Sequence, residues 1–167
     1  SSIILEPFGK NTAPAITIAA LKAKLTYKKA VLLVLSADHE IKENEVFQQL
    51  VLKGMYEAEK EKIVTFGVPP RSPETGYGYI EAIKPLDFNL SEGVPIKRFI
   101  EKPDLETAQK LIQDKRYLWN SGIFMFTPNT LIREIKKFSP EIFDSAELLI
   151  NNLTTDLDFE RLDKKFF

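Results

Sequence analysis

The sequence predicts an α/β fold, on three observations: helical apolar periodicity alternates with short continuous apolar runs, those runs are rich in β-branched residues, and 167 residues with 44% hydrophobic content are enough for one ordinary core. Ile3-Ile4-Leu5 reads as an opening strand. Thr12 then stands as an N-cap, with Ile16, Ala19, Ala20 and Ala23 at helical spacing, so residues 13–25 read as a helix. The run Ala30 to Leu35 has the length and composition of a strand buried on both faces. Phe47, Leu50, Val51, Met55 and Ala58 mark a second amphipathic helix, and Ile63 to Val68 a second buried strand. Alternation of this kind points to parallel β-α-β units.

Beyond Pro69 the pattern loosens into a meander: Gly76 to Ile80, a polar stretch near 89–93, and a strand from Ile96 to Glu101. Leu105, Ala108, Leu111 and Ile112 predict a short helix, Ile123 to Phe126 a buried strand, and Leu131, Ile132, Ile135 and Phe138 another helix. A last helix carries Ile142, Phe143, Ala146, Leu149 and Ile150, and a polar tail ends in Phe166-Phe167. Tyr117 and Trp119 read as core aromatics.

Charge is nearly balanced, 23 Lys and Arg against 24 Asp and Glu, which argues against a general polyanion binder and leaves room for a local phosphate cluster. Lys22, Lys24, Lys28 and Lys29 read as a solvated helix end, and no nucleic-acid partner is expected. Without cysteine there are no disulfides, thiolate metal sites or thiol nucleophiles, and a cytoplasmic location is the natural expectation. No apolar run reaches the roughly 18 residues of a membrane span, and the opening strand carries no signal-like leader, a start that suggests a piece of a longer protein.

In open α/β sheets, ligands gather beyond the carboxyl ends of strands, which singles out Asp38 after the most apolar strand. A carboxylate there suits Mg²⁺ held against phosphate oxygens, or it caps the next helix or begins a turn. His39 is the single histidine, and no G-x-S-x-G elbow accompanies it; a structural role packed or hydrogen-bonded behind Asp38 is the reading, and triad hydrolysis is not. Glu101-Lys102-Pro103 puts opposite charges at a strand end, where a relaxing pleat lets both turn to one ligand, carboxylate to sugar hydroxyls and ammonium to phosphate; the alternative is a solvated pair beside a turn. Gly76 and Gly78 permit close backbone approach or supply turn geometry, and Asn120-Ser121-Gly122 binds sugar or shapes a loop.

Taken in order, Glu6-Pro7-Phe8-Gly9-Lys10-Asn11-Thr12-Ala13-Pro14-Ala15, Leu35 to His39, Phe66-Gly67-Val68, Pro73 to Ile80, Phe99 to Pro103 and Trp119 to Phe124 resemble the bacterial mannose-1-phosphate guanylyltransferase family along most of the chain. The resemblance implies a Rossmann-like mixed sheet flanked by helices, of the nucleotide-diphospho-sugar transferase type. It implies that Asp38 binds Mg²⁺, that Glu101 and Asn120 with Gly76, Tyr77 and Gly78 hold the mannose, and that Lys102 faces the sugar phosphate. Glu6, Asn11 and Thr12 would lie on the guanine side. The implied substrates are GTP and mannose 1-phosphate, and the product is GDP-mannose. Ser36 departs from the family's usual Pro, a backbone adjustment that leaves Asp38 in place.

The family's Gly-rich, Arg-containing triphosphate loop would precede Ser1, and a second metal-binding aspartate would follow Phe167. Residues 1–167 are therefore expected to be part of a nucleotidyltransferase domain, inactive alone, and, because the first strand of a doubly wound sheet is usually central and its removal leaves ladder groups unpaired, with a rearranged sheet or a partner strand. A homo-oligomer is one outcome, which solution mass would separate from a monomer. The rival readings are a relative that uses another sugar 1-phosphate or nucleotide, and a non-catalytic regulatory domain of the same fold.

Overall fold

The computed structural model describes residues 2–87 and 93–167; the polar stretch expected at 89–92 lies outside them. Contacts divide the chain into two compact units. One comprises Ser1–Leu32, Glu61–Ile63 and Phe126–Phe167, the other Leu33–Lys60 and Val64–Met125.

In the first unit, helix α1 (Thr12–Thr26) packs with α4 (Pro128–Phe138) and α5 (Pro140–Asn151). Its buried centre is Ile18, Ala146, Leu149 and Leu162. Pro14 sits in the first turn of α1, where backbone N–H groups have no intrahelical partner, so its missing donor costs nothing. The cap is Asn11 rather than Thr12, which is already helical, and Asn11 makes no side-chain cap bond. Pro128 opens α4 behind Thr127, whose side chain accepts from Thr130 N. Phe138, expected on the apolar stripe of α4, is 69% exposed because the helix ends there and Ser139 turns the chain into α5.

Strand β1 (Ile3–Leu5) pairs in parallel with β8 (Phe159–Arg161), which pairs antiparallel with β7 (Thr154–Asp156). This ribbon replaces the expected polar tail. Glu160 of β8 accepts from Lys22 at 2.5 Å and Ser2 at 2.7 Å, and chiefly the Lys22 ammonium holds its carboxyl below the usual range. Lys22 is thus a paired residue, and the solvated-end reading does not hold for it.

The second unit contains most of a five-stranded sheet of order β2-β6-β4-β5, with β3 also on β6. These strands are β2 (Leu32–Val34), β3 (Val64–Val68), β4 (Tyr79–Ala82), β5 (Ile96–Ile100) and β6 (Tyr117–Phe126). The β3, β4 and β5 pairings are antiparallel, so the expected parallel units are not built there. The strand expected from Ala30 to Leu35 shortens to three half-buried residues, with Leu35 48% exposed. It stands at the end of the sheet order, and among the described residues β6 is its one strand neighbour.

Helix α2 (Asn44–Glu59) turns Phe47, Val51, Gly54 and Ala58 inward, and Phe47 meets Phe66 of β3 at 5.9 Å between ring centroids. Leu50 and Met55, expected on that stripe, are exposed because they flank the narrower face that Gly54 sets by close approach to Phe66. Helix α3 (Leu105–Leu111) is capped by Asp104, which accepts from Thr107 N at 2.7 Å. It covers Tyr79 and Tyr117 through Ala108 and Leu111, with Ile100, Ile112 and Trp119 around them.

Glu81 on β4 is buried, its side chain 1% exposed, yet charged. Arg98 Nε donates to it at 2.6 Å and Lys97 Nζ at 3.0 Å, with Arg116 at 3.6 Å, and chiefly Arg98, then Lys97, pull its pKa down to about 2. The folded value lies below the ordinary 4.5, so this cluster stabilises the fold fully above that pH and progressively less as pH falls towards 2. It anchors the far ends of β4, β5 and β6 away from the residues the sequence singled out.

Candidate functional site

Strand β4 starts at Tyr79, opposite Ile100 of β5 and Trp119 of β6, so the residues just before, after and beside these three become neighbours. They are Gly78, Glu101 and Asn120. Asn120 N donates to Gly78 O at 2.8 Å. A methyl group built on Gly78 would lie 2.8 Å from Glu101 Oε2 and 3.7 Å from Asn120 Cβ. Glycine at 78 therefore leaves the Glu101 carboxylate its seat against the backbone. Buried Tyr79 donates its hydroxyl to Glu74 O at 2.9 Å and so anchors the approach to this loop. Gly76 and Tyr77 are exposed, Gly76 with no other group near its Cα, while Tyr77 stands edge-on to Trp119 at 5.3 Å.

Lys102 has φ 43°, a left-handed conformation uncommon for a residue with a side chain. That twist ends the alternation of β5: instead of pointing to opposite faces, Lys102 Nζ and Glu101 Oε1 come within 3.8 Å. Both side chains remain mostly exposed, at 66% and 73%. The expected relaxation of the pleat is present, and its device is the backbone of Lys102.

Asn120 lies within a strand, where the sequence placed a polar step before a strand beginning at Ile123. β6 runs through Asn120-Ser121-Gly122 because hydroxyls repair the ladder where the β3 register shifts between Thr65 and Gly67. Ser121 Oγ donates to Phe66 O at 2.5 Å, and Thr65 Oγ1 to Ile123 O at 3.0 Å. Gly122, at φ 72°, turns its N–H back to Asn120 Oδ1 at 3.2 Å. Ser121 was singled out only as part of the Asn120-Ser121-Gly122 step, and Thr65 not at all; the visible signal for Thr65 was one polar residue within an apolar strand.

Asp38 lies in a turn four residues beyond β2, its side chain 83% exposed. Ser36 Oγ donates to its carboxylate at 2.5 Å, and this bond, more than its own backbone N–H or His39 at 3.9 Å, lowers its pKa. The helix-cap alternative falls away, since α2 is preceded by Glu43. His39 is 48% exposed and so is not packed behind Asp38. Among the described residues no hydrogen bond or ion pair joins Asp38 to Glu101, Lys102 or Asn120, and no group of three His, Asp or Glu could hold a metal. Glu6, Asn11 and Thr12 belong to the first unit: Glu6 is exposed after β1, Asn11 caps α1 with φ 66°, and Thr12 is the first helical residue.

The chain is a mixed α/β fold with helices flanking its sheets and a polar cluster at strand ends, and solved structures share the fold. A mannose-6-phosphate isomerase structure from Helicobacter pylori superposes with a TM-score of 0.82 at 34% identity, covering 99% of this chain and 62% of that one. A Thermus thermophilus protein described as mannose-1-phosphate geranyltransferase gives 0.78 at 32%, covering 90% and 43%. The chain belongs to the nucleotidyl transferase family, whose sequence profile matches residues 1–165. Relatives include the xanthan biosynthesis protein XanB of Xanthomonas campestris pv. campestris, 45% identical over 168 residues, and the mannose-1-phosphate guanylyltransferase of Salmonella montevideo, also 45% identical. The chain is covered over 100% and 99%, but spans only 35% of either relative.

Proposed function

We propose that the full-length protein transfers a guanylyl group from GTP to mannose 1-phosphate, giving GDP-mannose and pyrophosphate, and that residues 1–167 form part of its nucleotidyltransferase domain. The observation that carries this reading is the Glu101 carboxylate seated over Gly78 beside Asn120, with the Lys102 ammonium 3.8 Å from it. A carboxylate and an amide suit the hydroxyls of a sugar, and an ammonium suits the phosphate on its anomeric carbon. The sugar specificity rests on relatives of that name; Gly76 and Tyr77 lead directly into Gly78, with Tyr77 edge-on to Trp119.

An oxygen of the sugar phosphate attacks the α-phosphorus of GTP, a new P–O bond forms, and the bond to the β-phosphate breaks to release pyrophosphate. That oxygen is already anionic near neutral pH, so no general base is required, which accords with a chain holding one exposed histidine. Lys102 offsets charge on the sugar phosphate, while Glu101 and Asn120 fix the attacking group. Asp38, whose carboxyl the Ser36 hydroxyl holds below the ordinary carboxylate range, would be the residue to hold Mg²⁺ through a hard oxygen. When bound, the ion supplies charge neutralisation at the phosphate oxygens. The guanine-side roles of Glu6, Asn11 and Thr12 rest on the resemblance of residues 6–15, with support from an α1 N-terminus at which Asn11 makes no side-chain cap bond. A cytoplasmic setting suits these substrates.

Pyrophosphate release by the full-length protein tests the assignment. Turnover with GTP and mannose 1-phosphate is expected to exceed that with glucose 1-phosphate, or with ATP, CTP or UTP. Faster turnover of another pair would move the substrate assignment, and no turnover with any pair would leave a binding domain.

A further inference from the structure

The side-chain amide of Asn120 has one favourable orientation. Its Oδ1 accepts Gly122 N–H at 3.2 Å and lies 3.4 Å from Thr65 Oγ1. The threonine hydroxyl has one proton, shared between that oxygen and Ile123 O at 3.0 Å. A flipped amide would set its –NH2 against the Gly122 N–H and leave two donors facing each other. The carbonyl side of Asn120 is thus turned into the β3–β6 seam, and its –NH2 makes no hydrogen bond among the described residues.

We infer that Thr65 is a positioning residue of the sugar site: its hydroxyl, with the Gly122 N–H, holds Asn120 so that a donor, not an acceptor, faces the substrate. The inference rests on Asn120 contacting the sugar, as proposed above. A presented –NH2 requires an acceptor, and a carboxylate at Glu101 requires a donor. One ring hydroxyl satisfies both, accepting from Asn120 and giving its proton to Glu101. The pair therefore selects an intact hydroxyl over a deoxy position or an ether.

The test is steady-state kinetics of the full-length protein with Thr65→Val, which keeps shape and loses the hydroxyl, and Thr65→Ser, which keeps the hydroxyl. Thr65→Val is expected to raise KM for mannose 1-phosphate about tenfold, with KM for GTP within about twofold of wild type, and Thr65→Ser to restore the sugar KM to within about threefold. In an Asn120→Ala background, Thr65→Val is expected to add no further rise. Equal losses in the Val and Ser variants, or parallel rises in both KM values, would reduce Thr65 to a structural residue and overturn the inference. An Asn120→Ala enzyme with unchanged sugar KM would instead sink the site reading beneath it. Asn120→Ala impaired with Thr65→Val normal would sink the positioning role alone.

Discussion

Gly78→Ala in the full-length protein is expected to cut kcat/KM for mannose 1-phosphate by ~10- to 100-fold while moving Tm by less than about 2 °C. The asymmetry follows from what the new methyl meets. Its nearest neighbour, at 2.8 Å, is the end of the Glu101 side chain, which is 73% exposed and free to swing into solvent. The fold loses almost nothing by that movement, whereas the proposed sugar site loses its carboxylate. Gly67→Ala provides the contrast, because a methyl there would lie 2.3 Å from Leu118 Cδ1 and 2.8 Å from its Cβ, inside the β3–β6 contact. Differential scanning fluorimetry beside initial-rate kinetics separates the two effects. A Gly78→Ala enzyme with wild-type kinetics would show that the glycine serves turn geometry alone.

The second large effect is expected at Lys102. Lys102→Gly should lower kcat by ~100- to 1,000-fold, the scale of losing one preorganised charge at a reacting phosphate. The same change should leave stability unaltered or raise it by up to about 1 kcal/mol, because glycine adopts φ 43° without the steric cost borne by a side chain. Urea denaturation and single-turnover rates read the two quantities independently. Lost stability with retained turnover would make Lys102 a turn residue beside Pro103. Strain kept at this position fits a residue selected for its ammonium rather than for its backbone preference.

Local signals accounted for much of the architecture. α1, α2, α4 and α5 were legible because each repeats apolar residues at helical spacing, and β3 because Ile63 to Val68 is apolar but for Thr65 and Gly67. The β1-β8-β7 ribbon was not: Thr154–Asp156 and Phe159–Arg161 are short and largely polar, and β8 finds its parallel partner more than 150 residues away. β6 was cut short for the opposite reason, since Asn120-Ser121-Gly122 has the composition of a turn. The hydroxyls of Thr65 on β3 and Ser121 on β6 bridge the two strands there and carry the pairing past the register shift.

The site followed the same division. Glu101, Lys102, Asn120 and Gly78 were legible as motif residues, and antiparallel pairing of β4 with β5 and β6 supplies their proximity. Thr65 was not legible, because its role depends on a register shift that no local pattern encodes. Asp38 was singled out by its place after an apolar run, although that run forms a shorter and more exposed strand than its hydropathy implies.

The most direct measurement is a crystal structure of the full-length protein with mannose 1-phosphate. The sugar hydroxyls should lie within hydrogen-bonding distance of Glu101 and Asn120 Nδ2 over Gly78, with the phosphate beside Lys102. A sugar phosphate bound elsewhere, with Glu101 and Lys102 still paired to each other in solvent, would contradict the account.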